Sequence, residues 1–252
     1  MEPVLRVEKL TKVFNREGQP DLTAVHCVSF SLMPGECLGI IGESGSGKST
    51  AVNMIARLLD PTEGRTFFEG EEYTHAGGAA LRKLYTKMQM VFQTPAESFD
   101  PRRTLGDGIG EILRNNGRPR AETKREVARL LELCGLPAEF AGRYPHQASG
   151  GQCQRAAIAR AIAIRPRLLI CDEATSALDV TVQKEILALL GGLRRTLGLS
   201  ILFICHDIAV VQQFCDRVLV LYRGRIVEEG TPDAVIQNPR NEYTKRFIDS
   251  IL

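Results

Sequence analysis

The sequence predicts an α/β fold with a mixed sheet at its core, an antiparallel β subdomain at its start and a helical insert. Three observations carry this. Leu168–Cys171 and Ser200–Cys205 are continuous apolar runs, as in strands covered on both faces of a parallel sheet. Between them Val182, Ile186, Leu189, Leu190, Leu193 and Leu197 recur as an apolar helical stripe. From Pro95 to about Arg165 the strand pattern is replaced by helical spacing.

The elements follow in order. Val4 to Leu10 alternates as a strand, and Val28, Phe30 and Leu32 alternate with Ser29 and Ser31 as a second. Pro34-Gly35 turns the chain into a short buried strand, Cys37–Ile41. Val52, Ile55, Ala56 and Leu59 then lie at helical spacing. Thr66–Gly70 reads as a strand, and His75–Lys87 as a helix after a Gly77-Gly78 break. Met88–Phe92 is a strand ending at Gln93. In the insert, Ile109, Ile112 and Leu113 mark one helix; Val127, Leu130, Leu131 and Cys134 mark another, stopped by Gly135 and Pro137. Val218–Leu221 and Arg225–Val227 form a hairpin turned at Arg223-Gly224, and the tail from Pro232 is helical.

The 252 residues include 32 basic and 30 acidic ones, a net charge of +2, which gives no whole-chain drive toward nucleic acid or an anionic membrane. Hydrophobic residues make up 44% and charged ones 25%, the balance of an ordinary soluble domain. No apolar run approaches the roughly 18 residues that span a bilayer, so any membrane crossing falls to another subunit. The seven cysteines contain no C-x-x-C pair; Cys171 and Cys205 sit inside apolar runs as small core residues. The Met-Glu-Pro opening is unlike a signal peptide, and the expected setting is reduced and cytosolic.

The chemistry centres on Gly42-Glu43-Ser44-Gly45-Ser46-Gly47-Lys48-Ser49-Thr50, which fits G-x-x-x-x-G-K-[ST] between a strand and a helix. Helix N–H groups and the helix dipole favour an anion there. Glycines let the backbone wrap phosphate oxygens, Lys48 reaches the β- and γ-phosphates, and the Ser49 hydroxyl ligates Mg²⁺. Two other buried strands end in polar groups, Asp172-Glu173 and His206-Asp207. Ligands of open α/β sheets sit beyond the strands' carboxyl ends, so all three converge on one nucleotide. Asp172 is assigned to the metal and Glu173 to the attacking water. Ser149-Gly150-Gly151-Gln152 heads a long helical run; locally it reads equally as a second anion site or as a plain helix start capped by Ser149.

The phosphate loop, Gln93, Ser149–Gln152, Asp172-Glu173, Ser176-Ala177-Leu178-Asp179 and His206, in that order, strongly resemble the ATP-binding subunit of an ATP-binding-cassette (ABC) transporter. The resemblance covers nearly the whole chain. It implies a P-loop NTPase with ABC ATPase architecture, one ATP-binding domain over residues 1–252 with a helical subdomain inserted at about 95–165. It implies ATP and Mg²⁺, and two cassettes packed head to tail around two ATP molecules. By resemblance Phe14 stacks on adenine, and Gln93 contacts Mg²⁺ and the attacking water. Ser149 and Gly151 bind γ-phosphate across the dimer, with Gly150 and Gln152 in the same motif. Asp179 communicates between sites, and His206 holds γ-phosphate. The implied partners are two transmembrane permease subunits, a second ATP-binding subunit, identical or paralogous, and an extracytoplasmic solute-binding protein. The implied place is the cytoplasmic face of the inner membrane.

Departures from the family pattern are Ala148 where Leu is usual, Cys153 where Arg is common, Cys171 before Asp172 and Cys205 before His206. None removes a catalytic side chain. Gln93-Thr94-Pro95-Ala96-Glu97-Ser98-Phe99-Asp100-Pro101-Arg102 and Arg143-Tyr144-Pro145-His146-Gln147 resemble importers of di- and oligopeptides and of nickel. So do Glu228-Glu229-Gly230, Asn238-Pro239 and Tyr243-Thr244. The sequence ends at Leu252 without the Cys cluster of many peptide importers, which leans the expectation toward nickel or a metal chelate over peptide. A soluble ABC ATPase of DNA repair or translation usually has paired cassettes, a coiled coil or zinc-binding Cys pairs, none of which the sequence contains. Intact Lys48, Asp172, Glu173 and His206 oppose a merely regulatory cassette.

Overall fold

The wholly apolar runs of the sequence lie side by side in one sheet. The structure is a computed structural model that describes residues 2–176 and 178–250. In chain order its elements are β1 (Leu5–Phe14), β2 (Leu22–Leu32), β3 (Cys37–Ile41), α1 (Lys48–Ile55), β4 (Glu63–Phe68), β5 (Glu71–Glu72), α2 (Gly78–Lys87), β6 (Met88–Val91), α3 (Leu105–Asn115), α4 (Arg120–Leu133), α5 (Gly150–Ile162), β7 (Leu168–Asp172), α6 (Val180–Leu197), β8 (Ser200–Ile204), α7 (Ile208–Phe214), β9 (Arg217–Tyr222), β10 (Arg225–Gly230), α8 (Pro232–Gln237) and α9 (Glu242–Asp249).

The larger sheet has six strands in the order β10-β9-β3-β8-β7-β6. All neighbours are parallel except β10, which returns antiparallel to β9. The β9–β10 turn falls on Arg223 and Gly224, both at positive φ (47° and 75°), the twist that a tight hairpin needs. The smaller sheet, β2-β1-β4-β5, is antiparallel throughout.

Two cores flank the larger sheet, and the period-two alternation of its strands divides them. Cys37, Ile41, Leu169, Cys171, Ile201 and Phe203 face one core with the helices α3 to α6. Leu38, Ile40, Leu168, Ile170, Leu202 and Ile204 face the other, with α1 and the antiparallel sheet. Between Ala96 and Ile162 the described elements are α3, α4, α5 and short 3₁₀ turns, with no strand. No helix among the described residues is long and apolar enough to cross a membrane.

The structure adjusts several boundaries. β2 begins at Leu22, six residues before the alternating stretch, because cross-strand pairs to Val13 and Phe14 hold its exposed start. α1 stops at Ile55: Arg57 turns left-handed at φ 58°, and Leu58 and Leu59 both donate to the Asn53 carbonyl instead of continuing the helix. β6 ends at Val91, and β4 runs from Glu63 to Phe68. The helical tail is two helices, broken at Asn238–Asn241 by Pro239.

Candidate active site

Gly42 follows β3, and the loop from it turns the chain into α1. A Cβ on Gly42, at φ 147°, would stand 2.2 Å from the Leu221 carbonyl oxygen. One on Gly47, at φ 103°, would stand 2.4 Å from that of Ala24. Both backbone neighbours exclude any side chain. Gly47 is also the N-cap of α1 and offers it no side-chain acceptor, so the helix's first amides remain available. Lys48 is buried, and its Nζ donates to the carbonyls of Gly42 (2.6 Å) and Glu43 (2.8 Å). Burial lowers the Lys48 pKa, against the raising influence of the Glu173 and Asp172 carboxylates.

Strand register explains why those carboxylates are near. β8 lies between β3 and β7, with Ile204 level with Ile40 on one side and Asp172 on the other. The loop leaving β3, Asp172-Glu173 leaving β7 and His206 leaving β8 therefore emerge side by side at the strands' carboxyl ends. Gln93 follows β6, the strand beside β7. Its Nε2 donates to Ser176 Oγ at 3.4 Å, and Ser176 Oγ donates to the Glu173 carbonyl at 2.9 Å. Glu173 takes a left-handed φ of 48°, a backbone state that costs about 1–3 kcal/mol and gathers at functional sites.

Asp172 Oδ1 and Ser46 Oγ are buried without a hydrogen-bond partner. Burial, then the adjacent Glu173 carboxylate, raises the Asp172 pKa, with Lys48 opposing. An unpartnered carboxylate oxygen suits a hard cation. The described residues hold no cluster of three or more His, Cys, Asp or Glu able to cage a metal. The side chains that could hold Mg²⁺ here are Asp172, the exposed Ser49 hydroxyl and Gln93, since that ion takes one or two carboxylates and completes its shell with phosphates and water.

The remaining candidates fall in two places. Phe14 ends β1 opposite Leu22, two residues from the Ala24 that abuts Gly47, so it lies on the hairpin leaning on the loop. Ser44, Gly45 and Ser49 are exposed, and Thr50 is half-buried in the first turn of α1. Ser149–Gln152 does not join this cluster. Ser149 caps α5 in a reciprocal box: the Gln152 N–H donates to Ser149 Oγ (3.3 Å), and the Ser149 N–H donates to Gln152 Oε1 (2.9 Å). Ser149 and Gly150 are exposed, with Leu178 and Val182 as neighbours of Gly150 and Gly151. Asp179 caps α6, Oδ1 accepting from the N–H groups of Thr181 and Val182; Ala177, in the same stretch, lies outside the described residues.

A family model described as "ABC transporter" matches residues 25–176, which hold the loop, Gln93, Ser149–Gln152 and Asp172-Glu173. The chain belongs to the ABC transporter family. It shares its fold with solved ATP-binding cassettes. The ATP-binding cassette MJ0796, in a post-hydrolysis dimer bound to ADP and Pi, matches with a TM-score of 0.83 and 31% identity, over 90% of this chain and 98% of that one. The cbiO1 cassette from Clostridium perfringens, part of the ABC transporter complex cbiONQ, matches with 0.83 and 28%, over 100% and 96%. Among curated proteins, the glutathione import ATP-binding protein GsiA of Escherichia coli strain K12 is 45% identical over 258 residues, covering 99% of this chain. This chain spans 41% of the length of that relative.

The sequence reading missed two groups at the cassette's site. Ser176, three residues before Asp179, bridges Gln93 and Glu173. Tyr243 accepts from the Glu43 N–H at 3.2 Å across 200 residues of sequence, a contact that no periodicity or spacing reveals. Cys171 and Cys205 are the small core residues expected of them: both are buried, and burial holds the Cys205 thiol up at about 12.

Proposed function

We propose that this cassette binds MgATP at Gly42–Thr50 and hydrolyses it to power import through a membrane complex. The observation that carries this is the convergence of buried Lys48, the side-chain-free start of α1 and the unpartnered Asp172 Oδ1 at one sheet edge. Lys48 contacts the β- and γ-phosphates, and the loop amides after Glu43, through Thr50, form the cradle. Ser49, Gln93 and Asp172 hold Mg²⁺, which when bound offsets phosphate charge. Phe14 stacks on adenine. Glu173 takes a proton from the attacking water while Gln93 and His206 orient it.

The residues form one ABC ATP-binding domain, with the helices of about 95–165 as its inserted subdomain. Ser149, Gly150, Gly151 and Gln152 serve a second cassette's ATP, consistent with the exposure of Ser149 and Gly150 at the start of α5. Asp179, at the start of α6 beside them, relays between the two sites. Closure on two MgATP pulls on two permease subunits, and hydrolysis reopens the dimer. A groove of about 280 Å³ supports the permease contact: Leu58, Met90, Phe92, Ile112 and Arg160 line it next to Gln93. Leu58 (55% exposed) and Phe92 (37%) leave its rim apolar. The cassette lies on the cytoplasmic face of the inner membrane and works with an extracytoplasmic solute-binding protein.

Relatives named for glutathione import favour a peptide-like solute over nickel or a metal chelate. The test is capture from membranes with this chain as bait. Two multi-span permeases and a second cassette among the captured proteins support the importer. Only ribosomal or DNA-repair proteins, with no permease, would overturn the transport role and leave the ATP chemistry standing. Transport assays with glutathione, other peptides and nickel then separate the solutes.

A further inference from the structure

One peptide unit of the phosphate loop is gripped from both sides. The carbonyl of the Gly42–Glu43 peptide accepts from Lys48 Nζ at 2.6 Å, and its N–H donates to the Tyr243 hydroxyl at 3.2 Å. Lys48 also holds the next carbonyl, Glu43 O, at 2.8 Å. An ammonium has three protons, so contact with more than one phosphate oxygen takes at least one from these carbonyls. The Tyr243 grip involves no group that turns to a phosphate.

Tyr243 is well fixed for this. Its side chain is buried, and its ring stacks on Tyr222 (3.8 Å between centroids) and Phe247 (5.9 Å). Asn241 Oδ1 caps α9 by accepting from the Tyr243 N–H at 2.8 Å. The Glu228 carboxylate accepts from the N–H groups of Arg240 (2.8 Å) and Asn241 (3.0 Å), tying the start of α9 to β10. The β9–β10 hairpin that carries Tyr222 also holds the far end of the loop, where the Gly224 N–H donates to the Ser46 carbonyl at 2.8 Å.

We propose that Tyr243 is a positioning residue for nucleotide binding: its hydroxyl keeps the Gly42–Glu43 peptide oriented when Lys48 turns toward phosphate. This rests on reading the loop as the ATP site. Tyr243→Phe removes the hydroxyl and keeps the ring stack. Phe247→Leu thins the same stack without touching the loop.

The experiment measures Kd for MgATP and Tm on the full chain and both variants. The expected result is a Kd raised about five- to tenfold in Tyr243→Phe, the scale of one lost hydrogen bond at a partly buried amide, with Tm lowered by no more than a few degrees and by less than in Phe247→Leu. Phe247→Leu is expected to lower Tm and leave Kd near the parent value. An unchanged Kd in Tyr243→Phe overturns the proposal, as does an equal rise in both variants, which would mark a merely structural role. No MgATP binding by the parent chain overturns the ATP-site reading itself, and this proposal with it.

Discussion

The Glu173 backbone N–H donates to the Ile204 carbonyl at 3.1 Å. This bond joins the residue after β7 to the last residue of β8 and holds Glu173 in its left-handed conformation beside the strand that leads to His206. The residue is thereby fixed at the carboxyl ends of two inner strands of the sheet. Glu173→Gln keeps the backbone bond and removes the base. Steady-state phosphate release should fall by about 10²–10⁴-fold with MgATP affinity retained. A variant that turns over at the parent rate would remove Glu173 from the chemistry.

Gly47→Ala should disable the loop. The added methyl meets the Ala24 carbonyl at 2.4 Å, and the backbone sits at φ 103°. Left-handed strain alone costs about 1–2 kcal/mol, which lowers Tm by several degrees in a chain of this size. Calorimetry and nucleotide binding on the same preparation should show both losses.

Asp172→Asn should separate stability from function. Burial and Glu173 raise the Asp172 pKa in the folded state. The stabilising influence of a raised pKa is present at low pH and lost as pH rises through the folded value, so at neutral pH the ionised carboxylate is a cost. Without magnesium, the Asn variant should melt above the parent at neutral pH. Its magnesium-dependent hydrolysis should collapse.

Ser149→Ala removes the cap of α5, worth about 1 kcal/mol, because the Gln152 N–H loses its acceptor. Tm should fall by roughly 2–4 °C, and Ser149→Thr should restore it. If Ser149 also serves a second cassette, Ser149→Ala depresses ATP-dependent dimer formation more than the small stability loss explains. Analytical ultracentrifugation at a temperature well below both melting points reads that difference.

The anchor of α9 should be acid-sensitive. Burial acts to raise the Glu228 pKa, but the Arg240 amide, neighbouring Thr244, the Asn241 amide and the Arg240 charge together outweigh it and hold the carboxylate below its usual value. A depressed pKa gives stability above the unfolded value, near 4.3, and loses it as pH falls through the folded one. Glu228→Gln should therefore melt below the parent at pH 7, and the gap should close toward pH 3. A gap constant across that range would mean that this carboxylate's charge does not matter.

Much of this was legible because the strands are wholly apolar or alternate, and a loop of fixed pattern sits between one of them and a helix. Cys37–Ile41 and Ser200–Ile204 match their expected bounds closely, and the hairpin turn falls on Arg223-Gly224. Illegible features depend on distant partners. Leu59 lies at helical spacing after Ile55, yet the left-handed Arg57 ends α1 first and Leu59 packs from outside the helix. Leu22 and Thr23 are exposed and show no alternation; pairing to β1 makes them strand. The contact of Tyr243 with Glu43 exists only once the sheet has brought β10 and the tail beside the loop.

Whether Gly42–Thr50 is the ATP site is decided by equilibrium binding of MgATP to the parent chain and to Lys48→Ala. Lys48 is buried with its ammonium inside the loop. Losing two charge-assisted hydrogen bonds to phosphate should weaken binding by about 100-fold or more. Equal affinity of the two proteins, or no binding by the parent, would mean that the loop is not the ATP site.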